Sequence, residues 1–135
     1  VFHSIEDALS GRGLQNLHAC FADVDFDVPP SAQAVLASAR SSKSAARAVA
    51  MFTTLFARAC GDLVLAHGAW GGVYLFGSVA LEWSRQETST SFATAFTDKG
   101  LMSQRMANVP IHAVLRDNAP LLGLAGKETW PDKQL

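Results

Sequence analysis

Gly71-Gly72-Val73-Tyr74-Leu75-Phe76-Gly77-Ser78 sets the plan of this 135-residue chain. Val73 to Phe76 is an unbroken apolar run of β-branched and aromatic residues, long enough for a buried strand and too short for a helix. Glycines bracket the run, and Ser78 opens a new apolar-periodic segment marked by Val79, Leu81 and Trp83. Strand, Gly-Ser turn and helix, in that order, is the local plan of an α/β nucleotide site. There a glycine admits a ligand close to the backbone, and free amides at a helix start favour negative charge. Many α/β proteins share this order without binding a nucleotide, so the pattern alone leaves both readings open.

Upstream lies the longest element. From Ala45 to His67, apolar residues recur at helical spacing (Ala45, Val49, Phe52, Phe56, Cys60, Leu63, Val64), with Arg47, Thr54, Arg58 and Asp62 opposite. Such a helix is about 33 Å long at ~1.5 Å per residue, and Gly68 is its natural stop. Its aromatics read as core packing. Nearer the start, Ser10 suits the N-cap of a helix running through Leu14, Leu17 and Phe21 to about Ala22. Gly11 and Gly13 in its first turn cost about 1 kcal/mol each relative to Ala. They read either as a frayed start or as close backbone approach to a ligand or another strand. Asp23 to Pro30 is a breaker-rich connection, after which Ser31 caps a short helix to about Ala39 and Ser41 to Ser44 make a polar break.

Downstream of Ser78 the spacing predicts a short helix to about Gln86 and a break over Thr88 to Ser91. A turn or two from Phe92 to Phe96 follows, then a turn at Asp98-Lys99-Gly100 and a helical piece from Met102 to about Ala107. Ile111 to Leu115 reads as a second buried strand, closed by Arg116-Asp117-Asn118. Ala119 to Ala125 begins a last helix with Pro120 in its first turn, and the tail from Trp130-Pro131 reads as loose. Two buried strands separated by helices predict a parallel pair, which needs neighbours on its edges. The fold class is therefore α/β and helix-rich, with an incomplete sheet that is completed by self-association or by sequence not present here.

Composition excludes several classes. Apolar residues make up 49% of the chain, charged residues 17%, and the net charge is -1, a soluble globular balance without a basic stripe for nucleic acid. No purely apolar run approaches the ~20 residues of a membrane span. The first residues carry neither a basic leader nor an apolar core for export, so a cytoplasmic location is expected. Cys20 and Cys60 both sit in helix-like apolar contexts, which predicts free, buried thiols in a reducing compartment. His3, His18, His67 and His112 are scattered, and neither they nor the acidic residues show metal-ligand spacing. His67 suits the C-terminal end of the long helix, where the dipole favours it; His112 reads as a packed or edge residue of its strand.

Four stretches, in order and at consistent separations, resemble the C-terminal part of bacterial-type glucokinases. Glu6 with Leu9-Ser10-Gly11-Arg12-Gly13-Leu14-Gln15-Asn16-Leu17 is similar to that family's E-x-x-L-S-G-x-G-L-x-N-L/I, and Gly71 to Gly77 to its G-G-V-[FY]-[IL]-A-G-G-I. Phe92-Ala93-Thr94-Ala95-Phe96-Thr97-Asp98-Lys99-Gly100 is similar to F-R-A-A-F-E-D-K-G. Val109-Pro110-Ile111 through Asp117-Asn118-Ala119-Pro120-Leu121-Leu122-Gly123 matches I-P-V … D-N-P-G-L-L-G. The matches span nearly the whole chain, so all of residues 1–135 are expected to form the C-terminal part of a glucokinase-like large domain of the actin-like ATPase, or ribonuclease H-like, group.

The resemblance implies transfer of the γ-phosphoryl group of ATP, with Mg, to the glucose 6-hydroxyl, in a cleft between two α/β domains. It places Glu6 where the family has a sugar-binding glutamate, whose ionised carboxylate accepts hydrogen bonds from paired hydroxyls. Without it, Glu6 reads as a solvated residue just before a helix. The resemblance also places Gly77 and Ser78 on the turn against the adenosine part of ATP, with Gly123 near the same pocket or serving as a packing glycine. The sequence departs here, with Ser78 for the second glycine and Phe76 for a small residue. A turn demanding positive φ at Ser78 would be strained by roughly 1–2 kcal/mol, and Phe76 would crowd the nucleotide. The family's D-x-G-G-T phosphate turn, N-D catalytic aspartate and E-G-G-H segment do not occur in this sequence. Phosphoryl transfer needs all these parts positioned together, so these residues alone are expected to be inactive and to hold no catalytic residue. The alternative is a non-catalytic glucokinase-like binding or regulatory module. Expected partners are glucose and ATP, with either further copies of the chain or the missing N-terminal half, and neither membrane nor nucleic acid.

Overall fold

A computed structural model describes residues 2–22, 27–86, 90–116 and 118–126. The tail from Trp130, Asp117, and parts of the connections expected at 23–30 and 88–91 lie outside the described residues. In order, the chain forms α1 (Glu6–Leu9), α2 (Gly11–Ala22), α3 (Ala32–Ser38), α4 (Lys43–His67), β1 (Val73–Leu75) and α5 (Ser78–Gln86). Then come α6 (Thr90–Thr97), a 3-10 turn at Gly100–Met102, α7 (Ser103–Met106), β2 (Ile111–Ala113) and α8 (Ala119–Ala125).

The caps follow from the sequence. Ser31 Oγ accepts from the Ala34 amide at 3.2 Å, and Ser42 Oγ from the Ala45 amide at 3.3 Å. These start α3 and α4 by satisfying amides that have no intrahelical acceptor. Gly68 ends α4 with φ +61°, a conformation glycine adopts without strain. By length and a mean hydropathy of 1.5, α4 would suit a membrane span; in this fold it is the central core helix. It buries Ala45, Ala48, Phe52, Thr53, Ala57, Cys60, Gly61 and Val64 against α2 on one side and α6 on the other. The expected stripe is right except at Leu63, which is 57% exposed. One residue is 100° of helical rotation, and Val64 takes the inward position.

An aromatic cluster joins α4 to α5 and α6. Phe56 meets Trp83 edge-on at 5.4 Å and Phe92 at 5.9 Å. Trp83 Nε1 donates to Thr53 Oγ1 at 2.8 Å inside the core, so neither polar group is buried alone. The two strands pair in parallel, Val73 with Ile111 and Leu75 with Ala113, as the helix-separated runs predict.

Their burial is a correction. Leu75 alone in β1 is buried, Tyr74 is 63% exposed, Phe76 lies beyond the strand, and all three residues of β2 are exposed. An apolar run says that a strand wants cover, whereas the cover must come from other elements. Among the described residues, α5 touches β2 and no further strand extends the sheet. His112 stacks on Tyr74 at 5.0 Å across the strands, as an edge residue.

Cys20 is a second correction. It is exposed, because α2 turns Leu14, Leu17 and His18 inward and leaves Cys20 off that stripe. Cys60 is buried, and burial pushes its thiol up to about 11 by disfavouring the thiolate. At pH 8, Cys20 is expected to react with a disulfide reagent while Cys60 stays protected until the chain is unfolded. Because the folded state holds the Cys60 proton more tightly, its contribution to stability is complete below pH ~9 and is lost as pH rises towards about 11. Quantifying accessible thiols with and without denaturant checks the first expectation, and a urea melt series above pH 8 the second.

Candidate functional site

The turn between α1 and α2 meets the head of α5. Ser10 Oγ accepts from the Gly13 amide at 3.0 Å, capping α2 as its sequence predicts. A Cβ at Gly11 would lie 3.4 Å from Val79 Cγ2 in the first turn of α5. Gly13 presses harder, since a Cβ there would sit 2.4–2.8 Å from the backbone of Ala8. Of the two costly glycines, Gly13 therefore marks close backbone approach, by α1, whereas Gly11 is in ordinary contact with the side chains of Val79 and Ala32.

Beside this contact opens a hollow of about 300 Å³, bounded by Leu9 of α1, Phe52 and Phe56 of α4, and the run Phe76-Gly77-Ser78-Val79-Ala80. Gly77 has φ +102° with open space where a Cβ would be, and its carbonyl accepts the Leu81 amide at 2.9 Å. It thus stands at the N-cap of α5, and the amides of Ser78, Val79 and Ala80 precede the first residue that can find an intrahelical acceptor. Open space, positive φ and a helix head suit a polar or anionic group of a ligand. The strain expected at Ser78 does not arise. The left-handed conformation falls on Gly77, and Ser78 is the first residue of the helix. Phe76 is 59% exposed at the rim.

Glu6 is exposed and opens α1. Leu9, which ends the same single turn and borders the hollow, is only about 5 Å further along the helix axis at ~1.5 Å per residue. Glu6 itself is not among the residues bounding the hollow; Leu9 is the residue of α1 that reaches it. Gly123 is not among the residues bounding the hollow. It lies on α8 with nothing within 4 Å of where a Cβ would be, so it serves no close packing among the described residues. Among the described residues, no group of three or more His, Cys, Asp or Glu side chains could hold a metal ion.

Two neighbours of Glu6 escaped the reading of the sequence. Asp7 Oδ2 accepts the amides of His3 and Ser4, both at 3.0 Å, and Asn16 Nδ2 donates to the Asp7 carbonyl at 3.2 Å. The Ser4-x-x-Asp7 spacing of a capping box carried the first signal; nothing local carried the second.

A sequence model of the family described as Glucokinase matches residues 2–129. The chain belongs to the glucokinase family. It is 36% identical over 125 residues to the glucokinase of Stenotrophomonas maltophilia (strain K279a), covering 90% of this chain and 37% of that one. Against the glucokinase of Xylella fastidiosa (strain 9a5c) it is 33% identical over 136 residues, covering 97% and 40%. A glucokinase from an Antarctic psychrotroph, known from its crystal structure, superposes with a TM-score of 0.77 at 31% identity, over 90% of this chain and 39% of that one. The chain thus spans about 40% of the length of these glucokinases. Within the matched region lie both Glu6 and the Gly77–Ser78 turn.

Proposed function

We propose that this chain is one wall of a glucokinase cleft, the C-terminal part of an actin-like ATPase large domain, in an enzyme that phosphorylates glucose from ATP in the cytoplasm. The observation that supports the proposal is the hollow shared by Leu9, at the end of the turn that Glu6 opens, and the Gly77-headed α5, in a chain of the glucokinase family. Glu6 accepts hydrogen bonds from sugar hydroxyls. The head of α5 and the open space at Gly77 fit the adenosine side of ATP; Gly123 does not border that hollow, and its part in nucleotide binding rests on the family resemblance alone. ATP supplies the phosphoryl group; this chain's residues bind and orient. The aspartate that takes the hydroxyl proton, the first phosphate turn and the ligands for Mg belong to sequence outside these 135 residues. The exposed apolar side chains of Leu115, Leu121, Leu122 and Leu124 mark where the rest of such an enzyme, or a further copy of the chain, packs. Phe76 at the rim favours a second reading, a glucokinase-like binding module with a narrowed nucleotide site.

Glu6→Gln tests the proposal. Loss of a charged acceptor of hydroxyl hydrogen bonds is expected to weaken glucose binding about tenfold or more, since bonds to charged groups contribute roughly 1.5–3 kcal/mol. Saturation-transfer NMR with glucose and with ADP reads the two halves separately. ADP binding is expected to be unchanged in the variant, and undiminished glucose binding would refute the sugar role.

A further inference from the structure

Glu6 sits on a helix of four residues, far too short to persist on its own. What holds α1 in place is a set of contacts that the sugar reading does not use. Asp7 Oδ2 accepts the amides of His3 and Ser4 at 3.0 Å each and the Ser4 hydroxyl at 3.2 Å. Ser4 Oγ in turn accepts the Asp7 amide at 3.4 Å, closing a reciprocal cap around the start of the helix. Arg12 of α2 stands 3.8 Å from the other carboxylate oxygen. The amides of His3 and then Ser4 hold the Asp7 carboxyl below its usual range, so it remains an ionised acceptor at neutral pH. On the far side, Asn16 of α2 donates to the Asp7 carbonyl at 3.2 Å, and Gly13 lets α2 lie against the Ala8 backbone.

Resting on the reading of Glu6 as the sugar carboxylate, we infer that Asp7 and Asn16 are positioning residues that fix α1 and so present the Glu6 side chain to the sugar. Asp7 does so from the N-terminal side by capping, and Asn16 from α2 by tethering the middle of the turn. Neither needs to touch the ligand. The arrangement converts a turn that would fray into a fixed platform, which lowers the ordering required when glucose binds.

The test uses the 135-residue chain as wild type, Asp7→Ala, Asp7→Asn, Asn16→Ala and Glu6→Gln, with amide hydrogen exchange and glucose saturation-transfer NMR on each. Asp7→Ala is expected to speed exchange at Ala8 and Leu9 about fivefold, the size of a lost helix cap, and to leave Leu14 and Leu17 unchanged. Asn16→Ala is expected to do the same more weakly. Asp7→Asn keeps an oxygen for both amides and is expected to restore most of the protection, which a general packing defect would not. Glucose affinity is expected to fall with α1 protection, about fivefold in Asp7→Ala. Unchanged exchange in α1 on loss of Asp7 would overturn the brace. Faster exchange with undiminished glucose binding, in a chain where Glu6→Gln abolishes it, would overturn its role in presenting Glu6. A wild-type chain with no glucose signal, or a silent Glu6→Gln, would refute the sugar reading itself, and exchange would then decide the brace alone.

Discussion

Replacing Gly13 with alanine is expected to lower the melting temperature by roughly 10 °C, although alanine is the better helix former. Two effects oppose each other at this position. In a helix interior alanine is favoured over glycine by about 1 kcal/mol. Against that, the added methyl would lie 2.4 Å from the carbonyl carbon of Ala8, 2.5 Å from its oxygen and 2.8 Å from its Cα. Those atoms are backbone and cannot rotate away, so α1 must move as a unit. Overpacking of this kind costs typically 1–3 kcal/mol and occasionally more, and here the shift also strains the Asn16 tether. A net loss of about 2–3 kcal/mol corresponds to roughly 10 °C for a domain of this size. A thermal melt followed by circular dichroism measures it, and an unchanged or raised midpoint would contradict the packing described. The same variant is expected to disturb the region of Glu6 while leaving the α4–α6 contact intact.

The second large effect is expected at Gly61, where α4 passes close to the end of α6. A methyl there would meet the Phe96 carbonyl oxygen at 2.7 Å and Lys99 Cε at 2.6 Å. Lys99 is flexible and can yield; the Phe96 carbonyl cannot. The lysine side chain is only 9% exposed and places Nζ 2.5 Å from Asp62 Oδ1 and 3.1 Å from the Arg58 carbonyl. Gly61 is the gap through which it reaches them. Gly61→Ala is therefore expected to destabilise by about 2 kcal/mol after the helix-propensity gain is offset. Lys99→Ala removes the yielding half of the clash, so the double variant is expected to be less destabilised than the sum of the singles. A urea denaturation cycle over the four proteins checks this coupling, and strict additivity would show that the lysine and the glycine do not share one space. Asp98 and Lys99 belong to the stretch that resembles the family's D-K-G. In this fold those residues clamp α6 and the 3-10 turn onto α4, with Arg58 3.7 Å from Asp98 on the surface.

Much of the fold could be read before any coordinates. Ser31, Ser42 and Gly68 announced the ends of α3 and α4, because capping chemistry is local and leaves its mark on adjacent residues. The parallel pairing followed from two apolar runs separated by helices. Burial was less legible: Ile111, His112 and Ala113 are apolar or aromatic enough for a core, yet which element covers a strand is a property of the whole assembly. Cys20 and Leu63 show the same limit at the scale of one helical step. At the candidate site, Gly77 and Ser78 stood out in the strand–turn–helix pattern and were assigned to ATP by resemblance, Glu6 came from resemblance alone, and geometry then moved the positive φ wholly onto Gly77. Asn16 could not have been picked out, since its partner is a carbonyl nine positions away across a turn. Gly13 was flagged by its cost, and only the structure said which backbone it admits.

The β1–β2 ladder joins segments with α5, α6 and α7 between them, whereas α1 to α4 pack on one another, next or near in the chain, with α4 also meeting the more distant α6. Local contacts form early, and distant pairings must first overcome the entropy of closing a long loop. The helical half is therefore expected to nucleate folding, with the ladder zipping last and opening first. Its three-residue strands and exposed second member make it the gate through which this chain begins to unfold.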